Sequence, residues 1–194
     1  MLILRGLRYE DSDMKIGIHQ PNLIPWLPFF YKMQQSDTFI LLIHCQFEKN
    51  GFQNRFNLDE KWITKPVVNA VESILEKRYT DGPKIVDVNV PLIIGFAGLL
   101  GIDTRKIHYD HETQNTGTAR IIELCRLFDC DEYLTNPDAT DKYLDGKLMN
   151  DSGIEVVPCE LPPQYRISLF RAIEANGIEG CIKIIQKDWS KCKA

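Results

Sequence analysis

Residues 14–43 constrain the fold of this chain more than any other stretch. Ile16 and Ile18 flank Gly17 in a short apolar run, so residues 14–19 read as a buried strand. Pro21, Pro25 and Pro28 follow, and the missing proline N–H, with its restriction of the preceding residue, requires a loop. Residues 27–35 carry Phe29, Phe30 and Met33 and are predicted to be helical. Ser36 and Asp37 punctuate, and the β-branched, apolar residues 38–43 form a second predicted strand. Strand, loop, helix and strand make a βαβ unit, whose crossover is right-handed and whose strands are parallel. A parallel sheet needs cover on both faces. The expected class is therefore α/β: a single domain with a mainly parallel sheet opened by a βαβ unit, helices on both faces, and residues 14–19 as an interior strand.

The alternation continues. Residues 62–68 and 84–90 are predicted strands, with a helical turn at 72–77 and a turn at 79–83 between them. Pro91 suits the first position of a helix over 92–100 that Gly101 stops. Residues 105–109 form a further predicted strand. The clearest helix is 118–128, where Ile121, Leu124, Cys125 and Phe128 share a face. A strand at 131–134, a helix at 141–150, a strand at 154–159 and closing helices at 167–175 and 178–187 complete the reading. No repeat or linker divides the 194 residues, so one domain over 14–194 is expected. Residues 1–13 lack periodicity and are expected to be an N-terminal extension before Met14, translated from an upstream start codon.

Charge narrows the partners. Lys and Arg number 23 against 27 Asp and Glu, a net charge of −4, whereas a general nucleic-acid binder needs a positive surface to replace phosphate counterions. No run approaches the roughly 18 apolar residues of a membrane span. The apolar start, residues 1–4, is too short for a signal-peptide core, which makes the cytoplasm the expected location. In that compartment Cys45, Cys125, Cys130, Cys159, Cys181 and Cys192 are expected to be reduced. No C-x-x-C or H-E-x-x-H spacing occurs, so neither a metal nor another cofactor is expected.

Two polar groups carry the functional reading. His19, Gln20 and Asn22 directly follow the first strand, and α/β sheets collect ligands beyond the carboxyl ends of their strands. The second group is Gln46, Lys49, Asn50, Gln53, Asn54 and Arg55, interleaved with Phe47, Phe52 and Phe56. Amides that both donate and accept, beside a bidentate guanidinium, suit a sugar or a phosphorylated small molecule. A solvated hairpin turning at Asn50-Gly51 accounts for the same composition. Trp62 and Thr64 share one face of an extended strand, where Trp62 is either core or ligand platform. If the first two strands are parallel neighbours, both polar groups meet in one cleft. Among the cysteines, only Cys45 lies within a polar cluster; as a nucleophile it lacks an assignable residue to orient a histidine.

Ile18-His19-Gln20-Pro21-Asn22, Pro25-Trp26, Ser36-Asp37, Gln46-Phe47 with Lys49, Phe52-Gln53-Asn54-Arg55 and Trp62-Ile63-Thr64-Lys65-Pro66-Val67 together resemble the WbqC-like family. The later runs 118–125, Tyr133-Leu134, Lys142-Tyr143-Leu144-Asp145 and Gly153-Ile154-Glu155-Val156 resemble its second half. The resemblance implies an association with O-antigen and other surface-polysaccharide gene clusters, and it favours His19, Gln20, Asn22, Gln46, Asn54, Arg55, Trp62, Lys142 and Asp145 as site residues. The chain departs from the family pattern at His44 and Cys45, where acidic residues are usual, and at Arg171, where an Asp is usual.

The expected activity is a group transfer on an activated sugar or related phosphorylated metabolite. His19 and Asn22 would be catalytic, with His19 as base or acid. Gln20, Gln46, Lys49, Asn54, Arg55, Trp62, Lys142 and Asp145 would bind substrate. The alternative is a protein that captures a nucleotide-sugar or metabolite without turning it over.

Overall fold

Ile16 and Ile18 of β1 (Lys15–His19) are both buried, and the chain crosses through α1 (Leu27–Gln35) into the fully buried β2 (Thr38–Leu41). The two strands run parallel in the register Ile16 to Thr38 through His19 to Leu41, as the βαβ reading requires. The computed structural model of the chain describes residues 14–48, 51–58, 61–65, 84–137 and 139–189. The expected extension 1–13, the helical turn at 72–77, the turn at 79–83 and Cys192 lie outside the described residues, as do Lys49 and Asn50.

The other elements are β3 (Arg55–Leu58), β4 (Lys61–Thr64), α2 (Ile85–Leu99), β5 (Ile107–Tyr109), α3 (Gly117–Leu127), β6 (Glu132–Thr135), α4 (Ala139–Lys142), α5 (Gly146–Asp151), β7 (Glu155–Pro158) and α6 (Leu169–Gln186). Five strands form one sheet in the order β5-β2-β1-β6-β7, and all four pairings are parallel. β1 is the central strand, which carries the end of His19 into the middle of the sheet's carboxyl edge.

Strand periodicity sorts the core into two layers. Phe39 and Leu41 face one side, with Leu27, Phe29, Phe30 and Met33 of α1, Ile93 and Ala97 of α2, and Leu169 and Ile185 of α6. Ile16, Ile18 and Ile40 face the other, with Ile121, Leu124 and Cys125 of α3 and Met149 of α5. The molecule is thus α/β with helices on both faces. Each fully buried side chain of this kind contributes about 1.5–3 kcal/mol. Gly17 has a steric reason: a Cβ there would collide with Ser36 Oγ and stand 2.7 Å from the Phe39 ring.

Three expectations need correction. Residues 84–90 alternate like a strand, but they open the helix Ile85–Leu99, and Pro91 lies within it rather than at its start. The Asp87 carboxylate accepts the Lys84 N–H at 2.8 Å, capping the first turn, while Asn89, Ile93 and Ala97 bury one stripe. Tertiary burial at that helical spacing outweighs the β preference of three valines. Trp62 does lie on a strand, but Lys61–Thr64 pairs antiparallel with Arg55–Leu58 in a separate two-stranded ribbon. The antiparallel pairing runs from Arg55 opposite Thr64 to Leu58 opposite Lys61, while Asn50 lies outside the described residues. Residues 141–150 are two short helices, because Asp145 caps a new one: its carboxylate accepts the Leu148 N–H at 3.0 Å. The two closing helices are as expected: within α6 (Leu169–Gln186) the helix is interrupted at Gly177, whose φ of 68° is a left-handed conformation suited to glycine.

Candidate functional site

A cleft of about 910 Å³ opens at the carboxyl edge of the parallel sheet. Its floor comes from strand ends: His19 closing β1, Asn136 after β6 and Cys159 after β7. The loop after β1 supplies Asn22, Ile24 and Trp26, the β3 region supplies Phe52, Phe56 and Asn57, and α4 supplies Lys142. The segment leading into α6 supplies Glu160, Arg166, Ser168 and Arg171. This is where a parallel α/β sheet offers its backbone ends and loops to a ligand.

Backbone hydrogen bonds hold the walls together. Leu23 N–H donates to the Phe52 carbonyl at 2.9 Å, and Leu27 N–H donates to the Ile167 carbonyl at 3.0 Å. Asn89, 1% exposed, donates from its side-chain amide to the carbonyls of Pro21 and Gln53, each at 2.7 Å. One buried amide thus fastens the β1–α1 loop to the segment entering β3. Asn89→Ala strands two buried carbonyls, and the expected loss is about 2–3 kcal/mol. Urea denaturation measures it, and a change below about 0.5 kcal/mol would show that the clamp is dispensable. Ile24 is held at φ 47°, a left-handed conformation that a β-branched residue adopts only under constraint from its surroundings.

His19 is tightly defined. Its ring packs edge-on to Phe29, with centroids 4.8 Å apart. Its Nδ1 lies 2.9 Å from the Gln20 carbonyl, and a carbonyl only accepts, so Nδ1 carries the hydrogen. Nε2 is then an acceptor, the tautomer of a base. Burial, with the positive charge of Lys32 second, lowers the His19 pKa to about 3, so the ring is neutral at physiological pH. The tautomer turns the Nε2 lone pair, not an N–H, toward any partner in the cleft, and so low a pKa makes that nitrogen a weak proton acceptor.

The remaining expected site residues divide. Asn22 is buried and lines the cleft, as does Lys142. Gln20 does not line it; its carbonyl orients His19. Arg55 does not line it either: its guanidinium stacks over the Trp62 ring at 4.3 Å, and Phe52 leans on the same indole at 5.6 Å. Asn54 donates to the Lys65 carbonyl at 3.0 Å and tightens the ribbon. Gln46 is exposed, with its carbonyl toward the Gln53 amide. Asp145 is a helix cap, and Lys49 lies outside the described residues. The expected meeting of the two polar groups is therefore partial. Phe52, Phe56 and Asn57 reach the cleft, while Gln46, Asn54 and Arg55 do not.

Arg166, Ser168, Arg171, Asn136 and Glu160 were not among the expected residues. Asn136 had the same signal as His19, a polar residue just after a strand. In the Arg166–Arg171 group only Arg171 stood out, as a departure from the family pattern, and only the packing of α6 beside the Trp26 loop brings the group there, through the Trp26–Ser168 bridge. Glu160 is the one carboxylate lining the cleft among the described residues, and it forms an ion pair with Arg166.

Beyond β2 and β5 lies a separate polar cluster. The fully buried Asp110 carboxylate accepts N–H bonds from Ile43 at 2.6 Å and His44 at 3.2 Å, and it pairs with Arg120. His44 Nδ1 lies 3.3 Å from the same carboxylate, so an orienting residue for His44 does exist. Cys45 accepts a bond from the Gln53 amide at 3.2 Å, but burial raises its pKa, the opposite of what a nucleophilic thiolate needs. Cys45, Cys125, Cys130, Cys159 and Cys181 are free thiols. No group of three or more potential metal ligands, and no helix long and apolar enough to cross a membrane, occurs among the described residues.

No solved structure matches the chain. It is similar to the uncharacterized protein Rv1507c of Mycobacterium tuberculosis strain ATCC 25618 / H37Rv: 24% identical over 186 residues, covering 73% of this chain and 80% of that one. The profile of the WbqC-like protein family matches residues 20–74 and 63–170, a span from the loop below His19 to the start of α6. The chain belongs to the WbqC-like protein family.

Proposed function

We propose that the chain is a group-transfer enzyme acting on an activated sugar or related phosphorylated metabolite in surface-polysaccharide assembly, O-antigen included. The observation that carries the reading is the pairing, in one cleft, of a neutral imidazole with Lys142, Arg166 and Arg171. The family resemblance supports the pathway. His19 Nε2 accepts the hydrogen bond of the attacking hydroxyl or amine and aims its lone pair at the reacting centre, the role its tautomer allows. The guanidinium and ammonium groups hold the anionic part of the substrate and stabilise charge on the departing group. Asn22, Asn57 and Asn136 offer amides that orient a sugar.

The second reading, a binding protein that performs no turnover, has one observation in its favour. The only lining carboxylate among the described residues, Glu160, is engaged by Arg166, so the cleft offers no second carboxylic acid for proton transfer.

Thermal denaturation against sugar 1-phosphates, nucleotide-sugars and their unphosphorylated sugars tests both. The phosphorylated compounds are expected to raise the midpoint, with a stabilisation of about 2.7 kcal/mol at a hundredfold excess over Kd. Arg171→Ala is expected to weaken that response at least tenfold. His19→Gln is expected to keep binding and to lose turnover of whichever compound is consumed. A panel in which no phosphorylated compound stabilises the protein would sink the proposal. Full stabilisation without consumption would favour the binding reading.

A further inference from the structure

Lys32 is the only lysine or arginine classed as buried among the described residues, at 4% exposure. It lies on the buried side of α1. Its Nζ donates to the Ile18 carbonyl at 2.9 Å, one residue before His19. An ammonium has three N–H groups, and among the described residues this one makes no other hydrogen bond. No carboxylate forms an ion pair with Lys32 among the described residues.

An isolated buried ammonium is costly, and buried charges are ordinarily paired. An apolar side chain of the same length would fill this space without that cost. The titratable groups that feel the charge of Lys32 are His19 at the end of β1 and Cys159 at the end of β7, and both line the cleft floor. The Ile18 bond places the charge one residue along β1 from His19, which lines the cleft. Burial lowers the Lys32 pKa only to about 8, so the ammonium persists at neutral pH.

We propose that Lys32 is the counter-charge for an oxyanion, phosphoryl or carboxylate, which the ligand carries to the floor of the cleft beside Cys159. The inference rests on the reading of the cleft as a metabolite site and adds where the charged group goes: inward to the floor, not only to the rim formed by Lys142, Arg166 and Arg171. Cys159 suits the same place, because burial raises its pKa to about 12 and leaves the S–H as a donor. The deep anion would also fix the ligand's direction, with its remaining bulk toward Trp26, Phe52 and the rim.

Inorganic phosphate, pyrophosphate, acetate and citrate, each against sodium chloride at matched ionic strength, are the probes. Two of these are phosphoryl and two are carboxylate, so the pair that stabilises the wild-type protein names the group. Lys32→Met is expected to melt at or above the wild-type temperature without anion, since a buried unpaired charge is gone. Its affinity for the stabilising anion is expected to fall at least tenfold. In a purely structural role, the variant melts lower while the anion response persists in full, and that outcome overturns the inference.

A measurement on the unsubstituted protein guards against a variant that fails to fold. The Lys32 ammonium, followed by NMR through a pH titration, is expected to lose its proton at a pH at least one unit higher when the anion is saturating. An unchanged titration overturns the inference. An anion response lost in Arg171→Ala but kept in Lys32→Met rejects the deep site and leaves the metabolite reading standing. No response to any anion in the wild-type protein rejects both.

Discussion

Asp110→Ala is expected to lower stability by about 3–5 kcal/mol, the usual consequence of removing one partner from a buried ion pair. The Asp110 side chain is fully buried and accepts from Ile43 N–H, His44 N–H and Arg120, while the Arg120 side chain is only 15% exposed. Alanine leaves a largely buried guanidinium and two backbone N–H groups at the end of β2 with no acceptor. At about 2–4 °C per kcal/mol for a chain of this size, the melting temperature should drop by roughly 6–20 °C. Asp110→Asn keeps acceptor capacity without the charge and is expected to fall in between. Urea denaturation reads both, and a loss under about 1 kcal/mol for alanine would mean that the cluster is solvated and not a structural knot. The prediction also separates two parts of the sheet's carboxyl edge: the knot over β2 and β5 holds the fold, while the cleft over β1, β6 and β7 is free for chemistry.

The second large effect is acid sensitivity traced to His19. Its pKa in the folded protein is about 3, against 6.5 for the free side chain. Between those values the unfolded chain binds the proton and the folded chain does not, so stability falls as pH falls. The contribution is complete above pH 6.5 and is lost progressively toward pH 3. Between pH 7 and pH 4.5 the expected loss is about 2–3 kcal/mol. Carboxylates act in the same direction at lower pH: Asp103, held down by Arg105, and Glu123, held down by Asn115, Thr113 and His111. The diagnostic is therefore a difference. The stability of His19→Gln, measured by urea at both pH values, should decline less than the wild type by that 2–3 kcal/mol. Parallel curves would show that the folded protein does not hold His19 below its ordinary pKa.

Much of this molecule was legible along the chain. Helix α1 is bounded by signals that act within a few residues: prolines that cannot continue a strand, then an apolar stripe, then Ser36-Asp37. The central position of β1 followed from two isoleucines around a glycine, since a strand buried on both faces has no polar side to present. His19 was legible for the same reason, because position at a strand end is a local property once the strand is known. The valines of residues 84–90 misled, because their preference is weak and the deciding term is burial of Asn89, Ile93 and Ala97 against distant partners.

The site shows the same division. A residue such as Arg55 advertises its chemistry in any sequence, but whether its guanidinium faces a cleft or stacks on Trp62 depends on which way an antiparallel ribbon turns. Lys32 was hidden in the opposite way, since a lysine on a helix is ordinarily a solvated cation. Composition and local spacing determined the α/β class, the βαβ opening and the edge of the sheet where the cleft opens. The packing of α6 against the β1–α1 loop, and of α1 beneath it, decided which charges surround His19. The α6 contacts join residues more than a hundred positions apart, and Lys32 reaches the Ile18 carbonyl from another element, so no pattern within a segment encodes either.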